Sequence, residues 1–177
     1  QEAGIEVILG VEEEACRKLN EGFIHRILYK KPLGVLKYAM TLDGKIATTT
    51  GHSAWVTNSD ARSAVRELRA GCDAVVVGGN TVRRDNPRLT SRFPGAHNPL
   101  RIVMSRTLNF PQEAHLWQTE ESPTLVFTDV GSSPSLQENL RKQSVKVVEL
   151  SPLSPEKSIA YLYDLGFCTM LWEWGGI

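Results

Sequence analysis

No charge of one sign dominates this 177-residue sequence, in which 20 Lys+Arg stand against 20 Asp+Glu. That balance excludes the basic surplus with which a chain grips a nucleic-acid backbone. No apolar run approaches the roughly 20 residues needed to span a bilayer, and none has the composition of a disordered tract. Cysteine is scarce: Cys16, Cys72 and Cys168 lie far apart with no C-x-x-C spacing. An odd, dispersed set excludes a disulfide framework and fits a reducing compartment. His25, His52, His97 and His115 make no His/Cys metal pattern, so no metal site is expected. G-x-G-x-x-G, G-x-x-x-x-G-K-[ST] and G-x-S-x-G are all missing, which counts against ordinary Rossmann dehydrogenases, P-loop NTPases and serine hydrolases.

What is present alternates between strand and helix. Ile5 to Leu9 reads as a strand, and Val11 to Ile27 as one helix with Ala15, Leu19 and Phe23 on its apolar face. Lys30-Lys31-Pro32 reads as a linker. Gly34 to Met40 is a strand, Asp43-Gly44 a tight turn, and Lys45 to Thr48 a second short strand. Thr57-Asn58-Ser59-Asp60 offers the cap of a helix with Ala61, Val65 and Leu68 as its apolar stripe, running to about Ala70 and stopped by Gly71.

Asp73 to Val77 is a continuous β-branched run, the pattern of a strand covered on both faces. Arg101–Met104, Thr124–Thr128, Lys146–Leu150 and Thr169–Trp172 are further strands. Helices open at Ser133-Pro134 and Pro155 between them. The expected architecture is α/β, a three-layer α/β/α sandwich around a mostly parallel sheet. The sequence begins at Gln1, and a glycine pair follows Trp174. A helix should open there, so the chain is expected to be a fragment truncated at its C-terminus.

Ligands of open α/β sheets bind beyond the carboxyl ends of the strands. Gly78-Gly79-Asn80-Thr81 stands there, after Val77, either a plain turn or one whose amides could approach a phosphate; Gly51-His52-Ser53-Ala54-Trp55 precedes the first helix of the domain, its Ser and Trp suited to an anionic group and a flat ring, with a core-capping Trp55 as the plain reading. Arg66, Arg69, Arg83, Arg84, Arg88 and Arg92 crowd the stretch between and beyond them. A solvated basic face is one reading of that crowd, and bidentate phosphate recognition the other. Pattern alone goes no further than an enzyme acting on a phosphate-bearing small molecule.

Three blocks carry a resemblance: Leu36-Lys37-Tyr38-Ala39-Met40-Thr41-Leu42-Asp43-Gly44-Lys45-Ile46-Ala47, Gly51 to Thr57, and Ala74 to Val82 with Asp85-Asn86-Pro87-Arg88-Leu89-Thr90. In this order and spacing they resemble the reductase domain of the bifunctional riboflavin-biosynthesis deaminase/reductase. The resemblance covers residues 32–177. Residues 1–31 look like the tail of that protein's deaminase domain with a linker, its zinc motifs lying upstream.

The resemblance implies a dihydrofolate-reductase-like fold. It also implies NADPH-dependent reduction of 5-amino-6-(5-phosphoribosylamino)uracil to 5-amino-6-(5-phosphoribitylamino)uracil. By resemblance, Ala39, Trp55, Thr81, Asp85, Gly175 and Gly176 contact NADPH, and Ser53, Arg69, Leu89, Arg92 and Glu173 contact the substrate. Arg69 and Arg92 can each offer a planar pair of N–H groups to the phosphate, with Ser53 adding a hydroxyl. Glu173 and Lys37 are the catalytic candidates. Lys37 is expected to orient Glu173 or to donate a proton as the sugar opens, a surface lysine being the plain alternative.

Two departures stand out: Asn86 replaces a common second Asp, and Arg106 stands where some members place a cofactor-contacting Ser, which could shift that contact to Ser105. The rival readings are a silent reductase-like domain scaffolding a deaminase, a nucleotide-binding module without chemistry, and another dihydrofolate-type reductase. The resemblance further implies a homodimer when full length. The wording around Asp85-Asn86-Pro87 looks plant-like, implying a chloroplast protein, with the cytoplasm as the alternative.

Overall fold

The alternation of β-branched runs with amphipathic stretches builds one parallel sheet. The computed structural model describes residues 2–173. Its strands are β1 (Leu33–Lys37), β2 (Ala74–Gly78), β3 (Leu100–Met104), β4 (Thr124–Asp129), β5 (Lys146–Leu150) and β6 (Thr169–Glu173), in the spatial order β1-β6-β2-β3-β4-β5. Every neighbouring pair is parallel. The helices are α1 (Glu13–Leu19), α2 (Glu21–Tyr29), α3 (Ser59–Ala70), α4 (Gly79–Asp85), α5 (Pro134–Lys142) and α6 (Pro155–Asp164).

Side chains alternate across each strand, so the core divides in two. Val75, Val77, Val103, Val126 and Leu171 face one side, where Val82 of α4 and Leu140 of α5 cover them. Ala74, Val76, Ile102, Phe127 and Met170 face the other, under Leu162 and Ile159 of α6. Both faces being covered explains why β2 is a near-continuous apolar run rather than an alternating one.

The most distant pairing is pinned by one carboxylate. Asp73 accepts at Oδ2 from the backbone N–H groups of Cys168 (2.7 Å) and Thr169 (2.8 Å) and from the Thr169 hydroxyl (3.1 Å). These bonds set β6 beside β2 in the register Ala74 to Met170. At the far side of β6, β1 runs as an edge strand, pairing Leu33 with Thr169 and Lys37 with Glu173.

Arg101 is an unusual core member, wholly buried on the α4/α5 side. Its guanidinium donates to five carbonyls, those of Arg88, His115, Leu116, Gln118 and Ser122, at 2.5–3.4 Å. Five acceptors compensate the desolvation of one cation, although that burial still draws its pKa below the ordinary value. Two loops are thereby tied to the sheet, one of them the segment around Leu89.

Several local readings need correction. Residues 5–9 form no strand, because they find no partner in the sheet. The expected single helix over Val11–Ile27 is two helices hinged at Asn20, with α2 continuing to Tyr29. Gly22 is the reason the second helix lies so close to the sheet: a Cβ there would collide with Thr169 Cγ2. β1 stops at Lys37 rather than Met40, and Lys45–Thr48 is loop. The Asp43-Gly44 turn does form, Gly44 (φ 77°) donating to the Thr41 carbonyl at 2.9 Å. The segment expected as a Gly-Gly turn opens α4 at Gly79. The expected α3 stripe is not buried: Ala61 and Leu68 are exposed and Val65 is half-buried.

Candidate functional site

At the carboxyl ends of β1 and β6, register makes Lys37 and Glu173 direct neighbours across 136 residues of chain. Odd-numbered residues of both strands point to the α4/α5 side, so the two side chains emerge on one face. Lys37 Nζ stands 3.9 Å from Glu173 Oε2. The carboxylate has a stronger partner in Arg69 of α3, which donates through Nε to Oε1 (2.5 Å) and through Nη2 to Oε2 (2.9 Å). The third guanidinium nitrogen, Nη1, donates to the Thr90 carbonyl at 3.2 Å. Glu173 and Arg69 are both about nine-tenths buried, at 10% and 13% side-chain exposure, so the fork is held away from competing water.

Beside this fork lies a pocket of about 190 Å³ lined by Lys37, Arg62, Arg66, Arg69 and Arg92, with Thr57 and Val65. The three arginines of α3 recur at i, i+4 and i+7, one stripe of a helix. Like charges at that spacing cost a helix about 0.2–0.5 kcal/mol per pair, so the stripe is retained against its own electrostatics. Arg62 is turned to the pocket's margin: it donates to the Thr57 carbonyl at 2.5 Å and lies over the Trp55 ring, 4.7 Å from the centroid. Arg92 has its pKa drawn down, first by desolvation and then by the charges of Arg66, Arg69 and Arg88.

The loops around the pocket are strained. Among the described residues seven non-glycine residues have positive φ, and four of them, Trp55 (59°), Asn86 (40°), Leu89 (57°) and Arg92 (61°), belong to the segments that carry site candidates. Each costs roughly 1–3 kcal/mol, a cost met where the surroundings fix a conformation for use. Asn86 shows how: its Oδ1 accepts from His115 N–H at 2.9 Å, a role that its departure from the common Asp leaves intact. Leu89 is 2% exposed, with its side chain in the core, so only its backbone is available to a ligand.

The other candidates gather along the same edge of the sheet. Ala39 is half-buried just past β1, Thr81 half-buried in the middle of α4, and Asp85 exposed at its end. Ser53 is half-buried and does not line the cationic pocket. Trp55 presents a face to solvent at 80% exposure. Arg84 Nη1 reaches the Gly51 carbonyl at 3.5 Å, joining the loop of Ser53 and Trp55 to the helix of Thr81 and Asp85. Gly175 and Gly176 lie outside the described residues.

The arginine crowd of the sequence divides. Arg83 bonds Asn80 (2.5 Å) and Asn109 (3.2 Å), and Arg88 pairs with Glu121 (2.6 Å), whereas Arg66, Arg69 and Arg92 meet at the pocket. Arg62 went unnoticed in the sequence, although its spacing from Arg66 and Arg69 was the available signal.

Open space also lies beyond the carboxyl ends of β2 and β3. Gly78 at the end of β2 is exposed, and a Cβ there would meet nothing within 4 Å. Beyond β3 a cleft of about 380 Å³ opens between Met104, Ser105, Arg106, Thr107, Leu153 and Pro155. Arg106 stands at that cleft, 79% exposed and 3.6 Å from Asp129. Among the described residues no group of three His, Cys, Asp or Glu side chains is placed to hold a metal ion.

In sequence and in fold the chain is similar to known proteins. The model of the RibD C-terminal domain family matches residues 32–177. The riboflavin biosynthesis protein RibD of Synechocystis is 51% identical over all 177 residues, which span 48% of that protein. The chloroplastic riboflavin biosynthesis protein PYRR of Arabidopsis thaliana is 46% identical over 169 residues, 96% of this chain and 28% of the plant protein. A crystal structure from Thermotoga maritima is described as a diaminohydroxyphosphoribosylaminopyrimidine deaminase/5-amino-6-(5-phosphoribosylamino)uracil reductase. It superposes with a TM-score of 0.82 at 37% identity, covering 98% of this chain and 48% of that one. The chain thus spans about half the length of its bacterial relatives.

Proposed function

Because the chain belongs to the RibD C-terminal domain family, we propose that it reduces 5-amino-6-(5-phosphoribosylamino)uracil to 5-amino-6-(5-phosphoribitylamino)uracil, with NADPH as reductant. One observation carries the reading: a carboxylate locked by Arg69 stands beside an ammonium group and a pocket lined by five cationic side chains. That pocket suits a sugar phosphate, and the carboxylate suits the hydroxyls or amine of the ring beyond it.

In the proposed reaction the ribosylamine opens to an imine at C1′. Hydride then adds to C1′ and a proton to the adjoining nitrogen, turning C=N into CH–NH. NADPH, when bound, supplies the hydride. Ala39, Trp55, Thr81 and Asp85 are proposed to hold the cofactor, joined by Gly175 and Gly176. Lys37 holds a proton at Nζ for the opening sugar, and Glu173 holds Lys37 in place. Ser53, Leu89 through its backbone, Arg92 and the Arg69–Glu173 fork fix the substrate. Orientation of this kind can contribute roughly 7–11 kcal/mol to lowering the barrier.

Residues 1–31 are proposed as the tail of a deaminase domain. A homodimer is proposed as well, and the exposed Leu36 on the edge strand β1, with the exposed Tyr38 and Met40 just beyond it, supports it. For a plant source the proposed location is the chloroplast, after the plant relatives' names; for any other, the cytoplasm.

The test is loss of reduced-nicotinamide absorbance on mixing NADPH, the complete gene product and enzymatically deaminated substrate. Stoichiometric oxidation is expected. Tight NADPH binding without oxidation would overturn the reading in favour of a silent domain.

A further inference from the structure

Residues 41–57, between β1 and α3, form neither strand nor helix and fold on themselves. The Thr41 N–H donates to the Lys45 carbonyl and the Thr48 N–H to the His52 carbonyl, both at 2.9 Å. Arginines reach this loop from two helices. Arg84 of α4 comes within 3.5 Å of the Gly51 carbonyl, the outer limit of a hydrogen bond. Arg62 of α3 makes two closer contacts: Nη1 donates to the Thr57 carbonyl at 2.5 Å, and the guanidinium lies over the Trp55 ring, 4.7 Å from its centroid. Trp55 requires such a hold. A bulky residue at φ 59° is strained, and at 80% exposure it buries almost nothing in compensation. A bare, strained indole is kept where its face has a use, and the partner that suits that face is a second flat ring.

We propose that Arg62 is a positioning residue for the cofactor, holding the Trp55 indole at the rim of the cationic pocket so that a ring of NADPH stacks there. The proposal rests on the reductase reading, which puts the cofactor on Trp55. Arg62 is well placed for the task. It sits in the first turn of α3, a rigid base whose start is capped by Asn58, with Oδ1 accepting from the Ala61 N–H at 2.9 Å. Its guanidinium borders the indole and also lines the pocket beside Lys37 and Arg69. The cation attracts the face of the ring, while the bond to the Thr57 carbonyl fixes the guanidinium itself. The ring is thus ordered before a ligand arrives, and binding does not bear the cost of ordering it. A planar guanidinium can stack and donate at once, which a lysine does less well.

The test titrates NADPH against the complete gene product and its Arg62→Ala, Arg62→Lys, Trp55→Ala and doubly substituted Arg62→Ala/Trp55→Ala variants. Arg62→Ala should weaken NADPH about 3- to 30-fold, the scale of one cation–π contact. Arg62→Lys should recover part of the loss, which a merely misfolded helix would not. The double variant should bind NADPH no more weakly than Trp55→Ala alone, because Arg62 acts through the ring. Without any ligand, the Trp55 contribution to fluorescence anisotropy, taken by difference from Trp55→Phe, should gain fast motion in Arg62→Ala. Additive losses in the double variant, an unchanged anisotropy decay, or NADPH affinity untouched by Trp55→Ala would each overturn the proposal. So would a larger effect of Arg62→Ala on the KM of the aminouracil than on NADPH binding. NADPH binding with the expected pattern but no oxidation would instead remove the reductase reading and leave the hold of Arg62 on Trp55 standing.

Discussion

Arg69 on α3 meets Glu173 at the end of β6 in two hydrogen bonds of 2.5 and 2.9 Å, a planar fork closing over a carboxylate 104 residues away in sequence. Among the described residues nothing else ties the helix to the sheet so directly, since α3 buries no residue completely. The fork therefore does two things: it docks the helix, and it fixes which way the carboxylate faces.

Glu173→Gln keeps the size of the side chain and one acceptor but removes the charge. Turnover should fall about 10²-fold, the scale of a lost acid–base contribution, because Lys37 loses the carboxylate that holds its proton-donating group in place, and binding of NADPH should stay within a few-fold. Steady-state kinetics alongside cofactor titration checks both. Unchanged kcat would take Glu173 out of the chemistry.

Arg101→Leu should destabilise the fold by more than about 3 kcal/mol, because five carbonyls lose a charged donor at once and two of them, those of Leu116 and Ser122, belong to buried residues. The urea midpoint should drop well below that of the unmutated protein. Proteolysis should cut first in the loops around residues 88 and 115–122, which that guanidinium ties down.

Gly79→Ala would place a Cβ 2.5 Å from Ser105 Oγ and 2.9 Å from its Cβ. Such overpacking costs about 1–3 kcal/mol and pushes α4, with Thr81 and Asp85, away from the sheet. Weaker NADPH binding should accompany the lower melting temperature. Adding Ser105→Gly should restore both, and failure of that rescue would show that the clash is elsewhere.

Cys72 is buried, and burial, with Asp73 adding repulsion, raises its thiol from 9.0 to about 11. The folded state thus prefers the neutral thiol. Its contribution to stability is full below pH 9.0 and is lost as pH rises toward about 11, since the unfolded chain ionises first. Cys72→Ala should flatten that alkaline loss relative to the unmutated protein in denaturant titrations across this window. Equal alkaline slopes would contradict it.

The parallel sheet was legible wherever a strand is covered on both faces: the runs at Asp73–Val77 and Thr169–Trp172 lie within a residue of β2 and β6. Residues 5–9 carry the same local pattern but gain no pairing partner, and pairing is a property of the whole chain rather than of a window. Asn20 divides α1 from α2 because Gly22 must lie against Thr169, a neighbour 147 residues further along the chain. For the site, the residue types at Lys37, Arg69 and Glu173 were visible only through resemblance, since nothing in the local pattern announces that two strands will bring them together. Arg101 gave no local signal either: an arginine becomes a core residue only when loops far along the chain supply its acceptors.

In space β6 lies between β1 and β2, yet it follows both in the chain. A ribosome delivers β1 well over a hundred residues before the neighbour it must pair with, so that edge waits unpaired while the four strands from β2 to β5 can already associate. Insertion of β6 closes the gap, and in the same motion brings Glu173 between Lys37 and Arg69. The proposed site is therefore assembled at the moment the sheet is made whole, and a nascent polypeptide interrupted before Thr169 has neither.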